Sequence, residues 1–144
     1  MRIEKGHAAG NELNGTTTAL NLGLGRMVSK KKDCIGNTLS ERLGLSDESG
    51  LRLVGFKPIK AHDPVTAGAH LMNASGEISA TTDQGYVTSA CFSPNLGCSI
   101  GIGFLKDGGN RLGEVLRAAN PLEGQAVEVE VVSAHFIDPE GERL

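Results

Sequence analysis

The fold of this chain is decided by one run, Gly85-Tyr86-Val87-Thr88-Ser89-Ala90-Cys91-Phe92-Ser93-Pro94-Asn95-Leu96-Gly97, which continues through Cys98 and Ser99 into Ile100-Gly101-Ile102-Gly103. Its two halves contain the β-branched and aromatic residues that are enriched in strands. Between them lies Ser93-Pro94-Asn95, a turn signal, because proline fixes φ and asparagine bonds to its own backbone. The run therefore predicts two strands joined by a short turn.

Further strand candidates lie on both sides of this run, at residues 51–56, 65–72, 76–81, 113–117 and 126–136. In the last of them, valines at 127, 129 and 131 alternate with glutamates at 128 and 130. This alternation predicts a strand with one buried face and one solvent-exposed face. Short strands separated by glycine- and proline-containing turns are typical of a sandwich or barrel. We expect a mainly β chain in which residues 49–144 form an antiparallel, Greek-key-like barrel of about six strands.

Residues 1–48 have a different texture, with turn signals such as Asn14-Gly15. Asp33 is a candidate N-cap for a helix over about residues 33–43, because Ile35, Leu39 and Leu43 recur on one helical face. This part therefore predicts a short helical segment that precedes the barrel, with a boundary near residues 47–50.

Composition excludes several classes of protein. The chain has 144 residues, a formal net charge of −3, one tyrosine and no tryptophan, whereas nucleic-acid binders usually carry a basic face and aromatic platforms. No apolar run approaches the roughly 20 residues that span a bilayer, and the charged start lacks the pattern of a signal peptide. Three cysteines without a CxxC pair favour a reducing compartment. We expect no nucleic acid, no membrane and a cytoplasmic location.

No self-contained catalytic or metal motif is present in the sequence. The four histidines do not pair at a metal-binding spacing, and Ser93 is not in a G-x-S-x-G elbow. Neither Gly23-Leu24-Gly25 nor Gly101-Ile102-Gly103 has the third glycine of a dinucleotide loop. We assign no catalytic residue and no metal ligand.

Glu4 and the run Lys30-Lys31-Lys32 each have two interpretations. A carboxylate can accept two parallel N–H donors from a ligand, but glutamates mostly lie exposed on the surface. The lysines are either a solvated stretch or a patch for the anionic tail of a ligand. The residues alone leave both questions open.

A family resemblance narrows these alternatives. The segment Arg2-Ile3-Glu4-Lys5-Gly6 resembles the R-[IL]-E-x-G segment of the aminomethyltransferases, the T-protein of the glycine cleavage system and its relatives. The run from Gly85 resembles the family's G-x-V-T-S-x-x-[YF]-S-P-x-L-G run, which belongs to the carboxy-terminal barrel. The segment 32–36 also matches, although Cys34 replaces a phenylalanine at a position that we expect to be buried. Residues 28–33, 110–115 and 136–141 are similar to the end of the α subunit of heterotetrameric sarcosine oxidase.

The resemblance implies a function for each part of the chain. Residues 1–48 would be the tail of a folate-binding lobe, in which Glu4 binds the pterin of tetrahydrofolate, with Tyr86, Lys30 and Lys32 as weaker candidates. This partial site would help to capture the one-carbon unit from sarcosine as 5,10-methylenetetrahydrofolate. FAD or FMN and NAD of the parent enzyme would bind outside this segment.

The implied partners are the remainder of the α subunit and the other sarcosine oxidase subunits. Alone, the segment should be inactive and should self-associate. The alternatives are a structural docking barrel without a ligand site, or part of a related T-protein or dimethylglycine oxidase.

Overall fold

The structure is a computed structural model that describes residues 1–29, 31–47 and 49–142. Its strands are β1 Leu51–Pro58, β2 His70–Asn73, β3 Gly85–Ser93, β4 Cys98–Lys106, β5 Val115–Asn120 and β6 Gln125–Val132. One α-helix, α1, covers Asn37–Ser40, and single 3-10 turns occur at Gly10–Glu12, Gly25–Met27 and Gly108–Asn110. The prediction of a mainly β chain with a short helical N-terminal part is confirmed.

The six strands form one closed barrel in the order β1-β4-β3-β2-β5-β6, and β1 closes it by pairing with β6. Every pairing is antiparallel. Strands β2, β3 and β4 are consecutive neighbours, and β1 lies beside β4 after a long connection to β2. That order is a Greek key, so the predicted barrel of about six strands is confirmed.

The barrel interior is filled by apolar side chains from alternate strand positions. Val127, Val129 and Val131 point into it, while Glu128 and Glu130 are exposed, as the period of two predicts. The other large members of this core are Val54, Phe56, Leu71, Val87, Leu105 and Leu116. Because a small barrel has no room for water among these residues, they make a packed core.

Strand β4 is buried on both faces, which is unusual for an antiparallel strand. Its outer residues Ile100 and Ile102 are fully buried beneath Ile3 and Ala134, which belong to the two ends of the chain. The same two segments are hydrogen-bonded, because the Phe136 and Ile137 N–H groups donate to the Glu4 carbonyl at 2.9 and 3.1 Å. Residues near the start of the chain therefore pack directly on the barrel.

Glu12 provides a second attachment between the N-terminal segment and the barrel. Its side chain is fully buried, and its carboxylate accepts hydrogen bonds from Ser89 Oγ at 2.6 Å and from the Ala9 N–H at 2.9 Å. Arg2 adds an ion pair at 3.1 Å. A register shift in β3 between Val87 and Ser89 accompanies this contact.

The helix predicted over about residues 33–43 is wrong in its extent, since only Asn37–Ser40 is helical. Gly36, with φ of 90°, is its N-cap instead of Asp33. Short helices depend on the packing of an apolar face, yet Ile35 and Leu43 are fully exposed here. Cys34, which was expected to be buried, is exposed as well.

The strand candidate at residues 76–81 is also wrong, because this segment forms turns. The Thr82 hydroxyl donates to the carbonyl oxygens of Glu77 and Ser79, at 2.6 and 3.0 Å. Hydroxyl groups that bond nearby backbone in this way compete with strand pairing. In addition, β2 is shorter than the candidate at 65–72, and β6 ends at Val132 instead of continuing to residue 136.

Replacing Gly103 by alanine should destabilise the barrel. A Cβ atom there would lie 2.2 Å from the Tyr86 carbonyl oxygen of the paired strand, so the two strands would have to separate. We expect the free energy of unfolding, measured in urea, to fall by about 1–3 kcal/mol. Gly109→Ala is the matched control, because nothing lies within 4 Å of its added Cβ. Equal effects of the two substitutions would contradict this account.

Glu12→Gln should destabilise the chain in a pH-dependent manner. Burial raises the pKa of Glu12, but the hydrogen bonds from Ser89 and Ala9 and the charge of Arg2 outweigh it, so the pKa lies below its ordinary value of 4.5. The stabilisation by the carboxylate is therefore present above pH 4.5 and is lost as the pH falls through the folded-state pKa.

At pH 7 the free energy of unfolding of Glu12→Gln should be about 1–3 kcal/mol lower than that of wild type. The reason is that the amide NH₂ group would face the donors Ser89, Ala9 and Arg2. Urea unfolding from pH 7 to pH 3 should show wild type and variant converging at the acid end. The exposed Glu128→Gln should change the free energy of unfolding by less than about 0.5 kcal/mol. A gap between wild type and Glu12→Gln that widens in acid would contradict the assignment.

Candidate functional site

Glu4 lies at the seam between the N-terminal segment and the barrel, and only 5% of it is exposed. Its Oε1 atom accepts hydrogen bonds from Ser93 Oγ at 2.5 Å and from Asn95 Nδ2 at 3.0 Å. Its Oε2 atom lies 3.2 Å from the α-amino nitrogen of Met1. The interpretation of Glu4 as an ordinary surface carboxylate is therefore wrong.

The turn between β3 and β4 supplies both of these donors. Ser93 is the last residue of β3, and its carbonyl oxygen accepts a hydrogen bond from the Gly97 N–H at 2.9 Å. Its hydroxyl in turn accepts one from the Leu96 N–H at 3.2 Å. Pro94 cannot donate a backbone hydrogen bond and has a fixed φ, which suits it to this turn. The sequence Ser93-Pro94-Asn95 thus builds a rigid platform beneath Glu4.

On the other side, Gly6 allows the N-terminal segment to approach the barrel. Its φ is 73°, and a Cβ atom there would lie only 2.5 Å from the Ala134 carbonyl oxygen. Both the backbone conformation and the close approach favour glycine. Gly6 and the platform at Ser93 together determine where Glu4 lies.

The electrostatic surroundings keep Glu4 ionised. The hydrogen bond from Ser93, followed by that from Asn95, lowers the pKa of Glu4 below its ordinary value, and these contacts outweigh the opposing effect of burial. A carboxylate offers about four acceptor positions. Two are used on Oε1, whereas Oε2 accepts from the Met1 amino group alone among the described contacts, so it retains capacity for a further donor.

A cavity of about 390 Å³ adjoins this carboxylate, and its volume lies within the range of small-molecule sites. Its lining residues are Met1, Arg2, Glu4, Lys5, His7, Asn95, Ile137 and Asp138. Lys5 is held there by Asp138, whose carbonyl and Oδ2 atoms lie 2.6 and 2.8 Å from the ammonium nitrogen. The cavity thus presents the Glu4 carboxylate and the Lys5–Asp138 ion pair to any occupant.

Two of the weaker candidates from the sequence, Tyr86 and Lys32, lie away from the cavity beside Glu4. Tyr86 is half-buried against the ring of Phe104, with centroids 6.0 Å apart, and lines a separate cavity of about 280 Å³. Lys32 is exposed and lines neither cavity. Lys30 lies outside the described residues. The structure therefore does not bring Tyr86 or Lys32 together with Glu4.

Sequence reasoning missed the residues that surround Glu4, namely Ser93, Asn95, Lys5 and Asp138. For Ser93 the available signal was its place in the Ser93-Pro94-Asn95 turn of the Gly85–Gly97 run. Across the described ranges, no cluster of three or more His, Cys, Asp or Glu side chains is arranged to hold a metal ion. In the same ranges, no helix has the length and apolar character needed to cross a membrane.

Comparisons with known proteins agree with the barrel. Residues 52–138 match the family model of the glycine cleavage T-protein C-terminal barrel domain. The aminomethyltransferase T of the glycine cleavage system from Bartonella henselae superposes with a TM-score of 0.70 over 96% of this chain and 37% of that chain. Its sequence identity is 24%, so this likeness shows the fold alone.

The whole chain also aligns with longer curated proteins. The sarcosine oxidase α subunit of Rhizobium meliloti (strain 1021) is 36% identical over 100% of this chain, and that of Corynebacterium sp. (strain U-96) is 37% identical over 99%. This chain spans 15% of the length of each. The aminomethyltransferase of Francisella philomiragia is 30% identical over 95% of this chain and 36% of its own length.

The family model covers more than half of the chain, and the closed six-stranded barrel agrees with it. The chain therefore belongs to the glycine cleavage T-protein C-terminal barrel family.

Proposed function

We propose that this chain supplies one wall of a tetrahydrofolate site in a protein of the sarcosine oxidase α-subunit type, with Glu4 as the residue that binds the pterin. The observation that carries this proposal is the buried, ionised Glu4 carboxylate at the edge of a cavity of about 390 Å³. An ionised carboxylate that is buried beside a cavity is a candidate functional group, because keeping its charge away from water is costly. Glu4 keeps capacity on Oε2.

The residues present fit a ligand edge that donates hydrogen bonds, as the pterin ring does. Oε1 is occupied by Ser93 and Asn95, so Oε2 is the freer atom. This arrangement favours a ligand contact through one carboxylate oxygen, whereas the sequence alone suggests a bidentate contact through both. The Lys5 ammonium on the same cavity suits a carbonyl or anionic group of the ligand.

When bound, tetrahydrofolate supplies the nitrogen atoms that take up a one-carbon unit. The part of this chain is to bind and orient, because Glu4 accepts a hydrogen bond and the turn at Ser93 fixes its position. We assign no residue of this chain to the oxidation of sarcosine. In the proposed assembly, FAD or FMN and NAD bind to other parts of the enzyme.

We infer a second role, as a docking module for the remainder of a longer polypeptide, from the exposed apolar residues of the N-terminal part. Beyond the first turn these are Leu13, Leu20, Leu24, Met27, Val28, Ile35, Leu39 and Leu43. Apolar surface of this density, concentrated before β1, is typical of a region that another protein surface covers. The isolated chain should cover part of it by self-association.

Glu4→Gln should weaken the binding of tetrahydrofolate to the natural polypeptide that contains this chain. The amide replaces a charge-assisted hydrogen bond by a weaker neutral one, so the dissociation constant should rise about 10- to 100-fold. Isothermal titration at pH 7 measures it directly. Glu128→Gln, an exposed change of the same kind on β6, should leave the affinity unchanged. Unaltered binding in Glu4→Gln would remove Glu4 from the site.

The 144-residue chain should sediment as a dimer or larger species. The double substitution Leu39→Gln with Leu43→Gln should shift it toward the monomer, because it removes apolar surface from the part that we expect to associate. Leu122→Gln is the control, since this leucine is as exposed as Leu43 and lies in the turn between β5 and β6. A monomeric wild-type chain in sedimentation velocity would contradict self-association.

A further inference from the structure

We propose that Ser93 is the positioning residue of the Glu4 site, because its hydroxyl holds one carboxylate oxygen in place and leaves the other to face the ligand. This inference rests on the proposed function. The inference gives Ser93 a role in ligand binding that acts through Glu4 and not through direct contact with the ligand.

The hydrogen bonds of Ser93 fix the direction of its single proton. Its Oγ atom accepts from the Leu96 N–H at 3.2 Å and lies 2.5 Å from Glu4 Oε1. An ionised carboxylate is acceptor-only, so the hydroxyl proton must point to Glu4. Ser93 is fully buried, and water therefore does not compete for this bond.

The same contacts fix the plane of the carboxylate. Asn95 Nδ2 adds a second donor to Oε1 at 3.0 Å, and Asn95 lines the cavity beside Glu4. Two donors on one oxygen restrict rotation of a side chain that would otherwise be flexible. The conformational entropy of Glu4 is then lost on folding and not on ligand binding, which favours affinity.

A second serine–glutamate pair in the chain shows what a structural contact of this kind looks like. Ser89, on the same strand, donates to Glu12 at 2.6 Å. Both Glu12 oxygens accept from the protein, since Ala9 and Arg2 donate to Oε2 while Ser89 occupies Oε1. The Glu4 carboxylate differs because it adjoins a cavity and its Oε2 meets only the Met1 amino group among the described contacts.

A double-mutant cycle tests the inference, with Ser93→Ala, Glu4→Gln and both together in the natural polypeptide that contains this chain. Tetrahydrofolate titrated by calorimetry is the probe. Ser93→Ala should weaken binding about 3- to 10-fold in the wild-type background and should have no further effect beside Glu4→Gln, because it acts through that carboxylate. Ser89→Ala is the matched control and should leave the affinity unchanged.

A second readout needs no ligand. In carboxyl-carbon NMR titrations, Ser93→Ala should raise the pKa of Glu4 toward its ordinary value, because the hydrogen bond that lowers it most is removed. Ser89→Ala should not change it. Should Ser93→Ala fail to fold, Ser93→Cys keeps the shape with a weaker donor and should shift affinity and pKa in the same direction.

The outcomes separate the two proposals. Unchanged affinity in Glu4→Gln overturns the proposed function, and the inference with it. Weakened binding in Glu4→Gln together with full affinity in Ser93→Ala overturns the inference alone. An equal loss from Ser93→Ala with and without Glu4→Gln also overturns it, since the serine would then act through the fold and not through Glu4.

Discussion

The burial of both faces of β4 is the constraint on which the rest of the structure depends. An antiparallel strand with isoleucines on its outer face needs a cover, and residues 2–6 together with residues 133–138 provide it. Because Ile3 must lie over Ile100 and Ile102, its neighbour Glu4 is carried to the end of β3. The position of the candidate ligand residue thus follows from a hydrophobic requirement of the barrel.

The second constraint is the cost of burying charge, and the chain compensates for it in the same way at two glutamates. Glu4 and Glu12 are both buried and ionised, and each accepts a hydrogen bond from a serine of β3. Such bonds offset the loss of hydration that would otherwise favour protonation. At Glu12 the partners occupy both oxygens, and the result is a tether. At Glu4 two donors hold Oε1, only the Met1 amino group is described on Oε2, and a cavity adjoins the carboxylate, so the result is a candidate binding group.

Much of the fold could be predicted from the sequence because strand patterns are local. Alternation at Val127, Val129 and Val131, and the turn at Ser93, each depend on a few adjacent residues. The helix was mispredicted because the periodicity of Ile35, Leu39 and Leu43 says which face is apolar, not whether anything covers it. The motif around Glu4 indicated the residue, but its burial depends on a partner 89 positions away.

The two proposed roles meet at the N-terminal part of the chain. Its first residues are fixed to the barrel by Ile3, Glu4 and Glu12, whereas residues 24–43 expose apolar side chains and make short helical turns. A ligand pocket gains affinity from fixed walls, and the platform at Ser93 supplies one such wall. The exposed apolar residues, in contrast, are suited to packing against further polypeptide. In the proposed arrangement the barrel fixes Glu4 in advance, and further polypeptide would complete the cavity around it.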